Sequence, residues 1–453
     1  MKDATRAIAL VDGEHHPSVT RWALASASAA GYDVALAILV GGIEKLGAGA
    51  AADLGGFPIR RGEADPARAL AAAIDEVRPD VVLDLSDEPV LAYETRMEMA
   101  AVSLAGGVPY EGPDFRFEPP VTGAPVAAAT VAVIGTGKRV AKTGVTGHLA
   151  RIADADGLRP VIVSMGRGGP AQPTVAGATD VTLDALLARA ERGEHAASDF
   201  LEDALTAGVP AVGARRAGGG LAGAPFVTNA GRAADVAVDM GAGLVILEGS
   251  GSSLPPVPWD AGVLVVPAGV PPAHVAGYMG PLRVLLSDVA VIIMGVGPGS
   301  GPENLSALES HIRRLRAGIR VAIADLEPVP LAEVRDKDVF FATTANAAAS
   351  VRLAERLEAT AGCRVVTVSS RLADRDGLAA DLASSPPFDV LLTELKAAAV
   401  DVAARDAVAR GAQVVFVDNR PVSAGGDAEV DEVLRYAASL ALERGAERLE
   451  ARR

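Results

Sequence analysis

Residues 131–143 read Val-Ala-Val-Ile-Gly-Thr-Gly-Lys-Arg-Val-Ala-Lys-Thr. An apolar run, Val131 to Ile134, meets a glycine-rich turn, and Lys142-Thr143 leads into an apparent helix from Gly144. A strand, a turn and a helix start in this order bring backbone N–H groups and a helix N-terminus around one point, an arrangement that favours a polyanion. The expected phosphate cradle is Gly135, Thr136, Gly137, Lys138, Arg139, Val140, Ala141, Lys142, Thr143 and Gly144. Lys142 would reach the β- and γ-phosphates of ATP, and Thr143 would ligate Mg²⁺. The common pattern G-x-x-x-x-G-K-[ST] is met imperfectly. Thr136 stands at its first glycine, Ala141 at its second, and Gly135 sits one residue early. A glycine-rich turn that binds nothing has the same local pattern.

Outward from this loop, short Val/Ile/Leu runs alternate with Ala-rich helical stretches, the pattern of parallel sheets covered on both faces. Expected strands include Ala7–Val11, Val34–Val40, Val81–Leu85, Val126–Ile134, Pro160–Met165, Gly243–Leu247, Gly262–Val266, Val289–Met294 and Ile319–Ala324, then Val339–Thr343, Arg364–Ser369, Asp389–Thr393 and Gln413–Val417. The apolar run Val284 to Val296 reads as a buried strand interrupted by Asp288. Breaker-rich segments at Phe117–Gly123 and Leu326–Pro330 divide the chain. The expectation is three α/β domains: an N-terminal Rossmann-like domain over 1–122, a central P-loop domain with a mainly parallel sheet over 123–327, and a C-terminal α/β domain over 328–453.

Composition excludes several classes. The 453 residues carry a formal net charge of -15, which argues against nucleic acid or an anionic membrane as a partner. A few local Arg and Lys can still outweigh a remote acidic surface for a small anionic substrate. Cys363 is the only cysteine, so no intrachain disulfide forms and a reducing cytoplasm suits the chain. No window holds about 18 uninterrupted apolar residues, so no membrane span is expected.

Other features fall at strand ends, where open α/β sheets bind ligands. Glu248 closes Gly243–Leu247 and is a candidate metal ligand. Arg167 sits in the turn Gly166-Arg167-Gly168-Gly169, a second backbone nest with a fixed cation. Ser198-Asp199 opens a helix, either as a plain N-cap or as part of a site. Arg215-Arg216 beside Gly218-Gly219-Gly220 combines charge with close backbone approach, as a phosphorylated substrate requires. Asp12, Glu14 and His15 follow the first strand and are substrate-binding candidates. Lys396, on an expected helix with Asp401, would reach a substrate carboxylate or form a surface salt bridge.

Taken together, the segments Val11–His15, Asp84–Pro89, Asp114–Phe117, Gly135–Thr143, Met165–Pro170, His195–Asp199, Arg215–Gly220, Glu248–Gly251, Glu394–Asp401 and Asp418-Asn419 resemble the cyclic 2,3-diphosphoglycerate synthetase family over nearly the whole length. That family usually has Gly where this chain has Ala141. The centre is also similar to dethiobiotin synthetase, whose loop has the same length and whose Mg²⁺ ligands correspond to Thr143, Asp199 and Glu248. Three hard oxygens suit Mg²⁺.

The resemblance implies ATP- and Mg²⁺-dependent closure of 2,3-bisphosphoglycerate to its cyclic anhydride, with release of ADP and phosphate, by a homodimer. Lys142, Lys138, Arg139 and Arg167 would offset the repulsion between two polyanions, with Arg215, Arg216 and Lys396 on the substrate. Two other readings share the loop: another ATP-dependent ligase or kinase, and a nucleotide-dependent switch.

Overall fold

The computed structural model describes residues 4–42, 54–121, 123–295 and 299–451. Thr122, where the first expected domain ends, and Val296, where one expected apolar run ends, lie outside them, as does the expected terminus at Arg453. The chain is mixed α/β, with two large, mostly parallel sheets flanked by helices.

It forms two compact units. The first comprises residues 1–120 with 272–286 and 314–316. Its six-stranded sheet has the order β3-β2-β1-β4-β5-β6, namely Ile59–Arg61, Tyr32–Leu39, Thr5–Val11, Val81–Asp84, Tyr110–Glu111 and Arg116–Phe117. All neighbours are parallel except β5 and β6. Helices α1 (Pro17–Ala29), α2 (Pro66–Val77) and α3 (Tyr93–Ala105) connect them. β1 is central because its inner residues, Ala7 to Leu10, are fully buried and apolar. Asp12 follows it at the carboxyl edge, where strand order reverses between β1 and β4.

The second unit holds residues 121–271, 287–313 and 317–453. Its sheet has 13 strands among the described residues. Five parallel strands form the middle: β8 (Pro160–Gly166), β12 (Leu244–Glu248), β7 (Ala129–Gly135), β13 (Ala261–Pro267) and β14 (Val289–Ile293). Every residue of β7, β8, β12 and β14 is buried. Each fully buried Val, Leu or Ile there stabilises the fold by about 1.5–3 kcal/mol. On the β8 side lie β10 (Ala211–Ala217) with short β9 (Thr174–Ala176) and β11 (Val227–Thr228).

On the other side the sheet does not stop. β15 (Arg320–Pro330) pairs parallel with β14 and antiparallel with β19 (Gln413–Gly426), from Ala322 opposite Gly426 to Pro330 opposite Val417. β19 then continues parallel to β18 (Val390–Thr393), which joins β16 (Asp338–Ala342) and β17 (Arg364–Ser369). The final helix, Val430–Glu450, turns back over β7 and β13. There Val433, Leu434, Ala437 and Ala441 enter the core, and Arg448 bonds the carbonyls of Val126 and Ala128 and the carboxylate of Asp260, each contact 2.8 or 2.9 Å.

Three local expectations are corrected. Val284 belongs to the helix Gly280–Leu285, and the strand begins only at Val289, because Asp288 turns its carboxylate to the N–H of Gly262 at 2.9 Å. Lys396 is not on a regular helix: it lies in a turn ahead of the π-helical stretch Ala399–Ala404, which carries Asp401. Val126–Ala128 precede the strand, which starts at Ala129.

Candidate active site

At the carboxyl edge of the middle strands, the turn after β7 runs into α4 (Lys142–Ala155). Two of its residues adopt the left-handed region, Arg139 at φ 56° and Ala141 at φ 67°. That conformation costs a residue bearing a Cβ about 1–2 kcal/mol, a cost that glycine would avoid at position 141. The loop is tight elsewhere. A Cβ on Gly135 would lie 3.1 Å from the Val265 carbonyl, and one on Gly144 would lie 2.5 Å from the Asn419 carbonyl. Thus β19 braces the first turn of α4.

Lys142 is buried, and its ammonium donates to the carbonyls of Gly137 at 2.8 Å and Gly251 at 3.0 Å. Burial pushes it down to about 8, although Glu248 and Asp199 pull the other way. Thr143 Oγ1 donates to Glu248 Oε1 at 2.9 Å, and Ser164 Oγ donates to Glu248 Oε2 at 3.1 Å. Asp199 opens α6 (Asp199–Ala207), which follows α5 (Leu183–Glu191), and it reaches the turn at Gly166. Thr143, Asp199 and Glu248 therefore present oxygen donors only, a set that fits a hard divalent cation.

One cavity of about 340 Å³ gathers these groups. Lys138, Arg139, Lys142, Arg167 and Lys396 line it, with Asp199 and Glu248. Arg216 stands behind it, buried, bonding the carbonyls of Gly218 at 2.7 Å and Ser250 at 2.9 Å. Burial and the nearby Arg167 lower its proton affinity, and the same causes lower that of Lys138. Arg215 is exposed and donates to the Gly169 carbonyl at 2.6 Å, on the alternate face of β10 from Arg216. It is not among the cavity's lining residues. Asp12, Glu14 and His15 belong to the other compact unit. There Asp12 is buried and its carboxylate accepts from the Glu14 N–H at 3.1 Å, from His15 Nδ1 at 2.9 Å and from the Asp87 N–H at 3.0 Å.

Lys396 is not a surface ion pair. Its ammonium lies 3.0 Å from buried Glu202 and lines the cavity. Burial opposes its charge, but the carboxylates of Glu202 and Glu394 outweigh this and hold it above its usual value. Glu394 in turn accepts from Thr343 Oγ1 at 2.6 Å, Thr344 Oγ1 at 2.7 Å and Asn419 Nδ2 at 3.0 Å.

Sequence reading gave no role to Glu202, Asp203 or Glu394. Asp203 is fully buried beneath Glu248, and burial followed by the Glu248 charge raises its carboxyl well above the ordinary range. The signal lay in the run Asp199-x-x-Glu202-Asp203: positions i, i+3 and i+4 share one helix face. On a helix packed against the sheet such a run carries carboxyl groups into the core, and burial favours the neutral form of Asp203.

A strand, a glycine-rich turn with its buried lysine, and Thr143 bonded to Glu248 at a parallel sheet edge define a P-loop enzyme. The sequence comparisons agree. Residues 130–324 match the model of the cyclic 2,3-diphosphoglycerate synthetase P-loop domain, residues 6–118 its N-terminal domain and residues 330–420 its C-terminal domain. The chain belongs to the cyclic 2,3-diphosphoglycerate synthetase family. Relatives bearing that name occur in Rubrobacter xylanophilus (43% identical, spanning 95% of this chain and 98% of the relative). Others are found in Thermococcus gammatolerans (41%, 94% and 96%) and Methanothermobacter thermautotrophicus (38%, 96% and 96%).

Proposed function

We propose that this chain uses ATP and Mg²⁺ to close 2,3-bisphosphoglycerate into its cyclic phosphoanhydride, releasing ADP and phosphate. The observation that carries this is charge. In a chain of net charge -15, five cationic side chains and two carboxylates line one cavity. That balance suits two polyanions that must be held together with a divalent cation.

Thr143, Asp199 and Glu248 would hold Mg²⁺, which supplies charge neutralisation to the triphosphate when bound. The loop Gly135–Gly144 would grip the triphosphate through its amides, with Lys142 on the β- and γ-phosphates. Lys138, Arg139 and Arg167 would spread over the transferred phosphoryl group. Arg216 and Lys396 would orient the second substrate, Lys396 by its carboxylate. Arg215 would also contact substrate, and Asp12, Glu14 and His15 of the first unit are further proposed substrate-binding residues. One substrate phosphate attacks the γ-phosphorus in line, and the other then displaces inorganic phosphate and closes the ring. Phosphate oxygens are already nucleophilic anions, so alignment and charge neutralisation dominate.

The division into 1–122, 123–327 and 328–453, a homodimer and a cytoplasmic location belong to the same reading. No helix among the described residues is long and apolar enough to cross a membrane. Phosphorus NMR on wild type with ATP, Mg²⁺ and 2,3-bisphosphoglycerate tests the activity: coupled anhydride resonances are expected. A new monoester or acyl phosphate in their place points to a kinase and ends the proposal. Light scattering that gives a monomer mass removes the dimer.

A further inference from the structure

The proposed ring closure takes up a proton. Fully ionised ATP and 2,3-bisphosphoglycerate carry one more negative charge than ADP, HPO₄²⁻ and the cyclic product together. Without that proton the departing group would be PO₄³⁻, a very poor leaving group. A side chain at the cavity that is recharged from solvent can supply this proton at the moment the bond breaks. The guanidinium groups hold their protons at neutral pH. Lys142 is buried and tied to two carbonyls. Asp199 and Glu248 are the proposed metal ligands.

His195 meets the requirement. It is exposed, and it lines both the loop cavity and a neighbouring cavity of about 270 Å³. Its Nδ1 lies 2.9 Å from Ser198 Oγ, and that hydroxyl also lies 3.2 Å from the carbonyls of Gly168 and His195. The hydroxyl has one hydrogen. Given to a carbonyl, it leaves Nδ1 to donate, so both bonds form and Nε2 becomes the atom that gains and loses a proton. Gly168 makes the space, because a Cβ there would sit 3.2 Å from Nε2. The charged groups that line the two cavities with it are Lys138, Arg139, Lys142, Arg167, Asp199, Glu248 and Lys396 in the first, and Glu194, Arg375 and Asp401 in the second.

Resting on the ring-closing reading above, the geometry points to His195 as the proton donor of the second step. A free phosphate oxygen of the substrate bonds to the phosphorus of the pyrophosphorylated arm and closes the ring. The bond from that phosphorus to the bridging oxygen breaks, its electron pair stays on that oxygen, and the oxygen takes the proton from Nε2. Inorganic phosphate leaves as HPO₄²⁻, and water reprotonates the imidazole.

The test compares wild type, His195→Gln and His195→Ala by rapid quench and phosphorus NMR. In both variants ADP affinity and the first-turnover release of ADP should stay within about twofold of wild type. Cyclic product should fall about 10²–10⁴-fold, with a linear pyrophosphorylated intermediate accumulating, and added imidazole should restore ring closure in His195→Ala. Ring closure at the wild-type rate in His195→Gln overturns the inference. So does an equal loss of ADP release and ring closure, or failure of imidazole to rescue. Wild type that releases ADP without any cyclic product instead fails the function itself.

Discussion

Two residues of the phosphate loop decide how well it works. Lys142 is held down to about 8 by burial, so its ammonium is intact below that pH and lost above it. Bound phosphates need the charged form. ADP affinity by calorimetry should therefore hold steady from pH 6.5 to 7.5 and weaken progressively above about pH 8; a flat profile to pH 9.5 would contradict the role. Lys142→Ala should keep the fold and lose turnover by about 10³-fold or more. Ala141 sits at φ 67°, a conformation that glycine adopts freely. Ala141→Gly should raise thermal stability by about 0.5–1 kcal/mol, since relief of the left-handed strain exceeds the added chain entropy. A fall in the unfolding temperature would show that the loop relaxes in another way.

At the scale of elements, the strand-to-helix junction rests on a neighbour distant in sequence. The Asn419 carbonyl lies 2.5 Å from where a Gly144 Cβ would be. Gly144→Ala should thus shift α4 or β19, costing about 1–3 kcal/mol of stability and weakening ADP binding; calorimetry and thermal unfolding would both register it. The middle strands were legible because parallel strands covered on both faces are continuous apolar runs, as in Leu244–Leu247. The loop, Glu248 and Asp199 were legible because each stands at a strand end or helix start. The rest depends on pairing across long separations. β19 runs on to Gly426 rather than stopping at Val417, since its antiparallel partner β15 continues beside it. The pairing of Lys396 with buried Glu202 was not legible because the two are remote in sequence. No local pattern reports such a contact.

For the whole molecule, the β15–β19 pairing joins the central and C-terminal segments into one sheet, and the helix Val430–Glu450 seals the core beneath β7 and β13. A chain of residues 121–327 alone would expose the β15 edge and the apolar floor covered by Val433, Leu434 and Ala437. Exposed strand edges and apolar floors associate. Such a fragment should aggregate in light scattering, while the full chain should remain dispersed; a monomeric, nucleotide-binding 121–327 would refute this. That helix also leaves the ribosome well after the loop does. The nucleotide site cannot mature as its own codons are read: Gly135–Thr143 are made long before the floor that Val430–Glu450 supplies. A chain interrupted between the two would carry a synthesised loop over a missing floor.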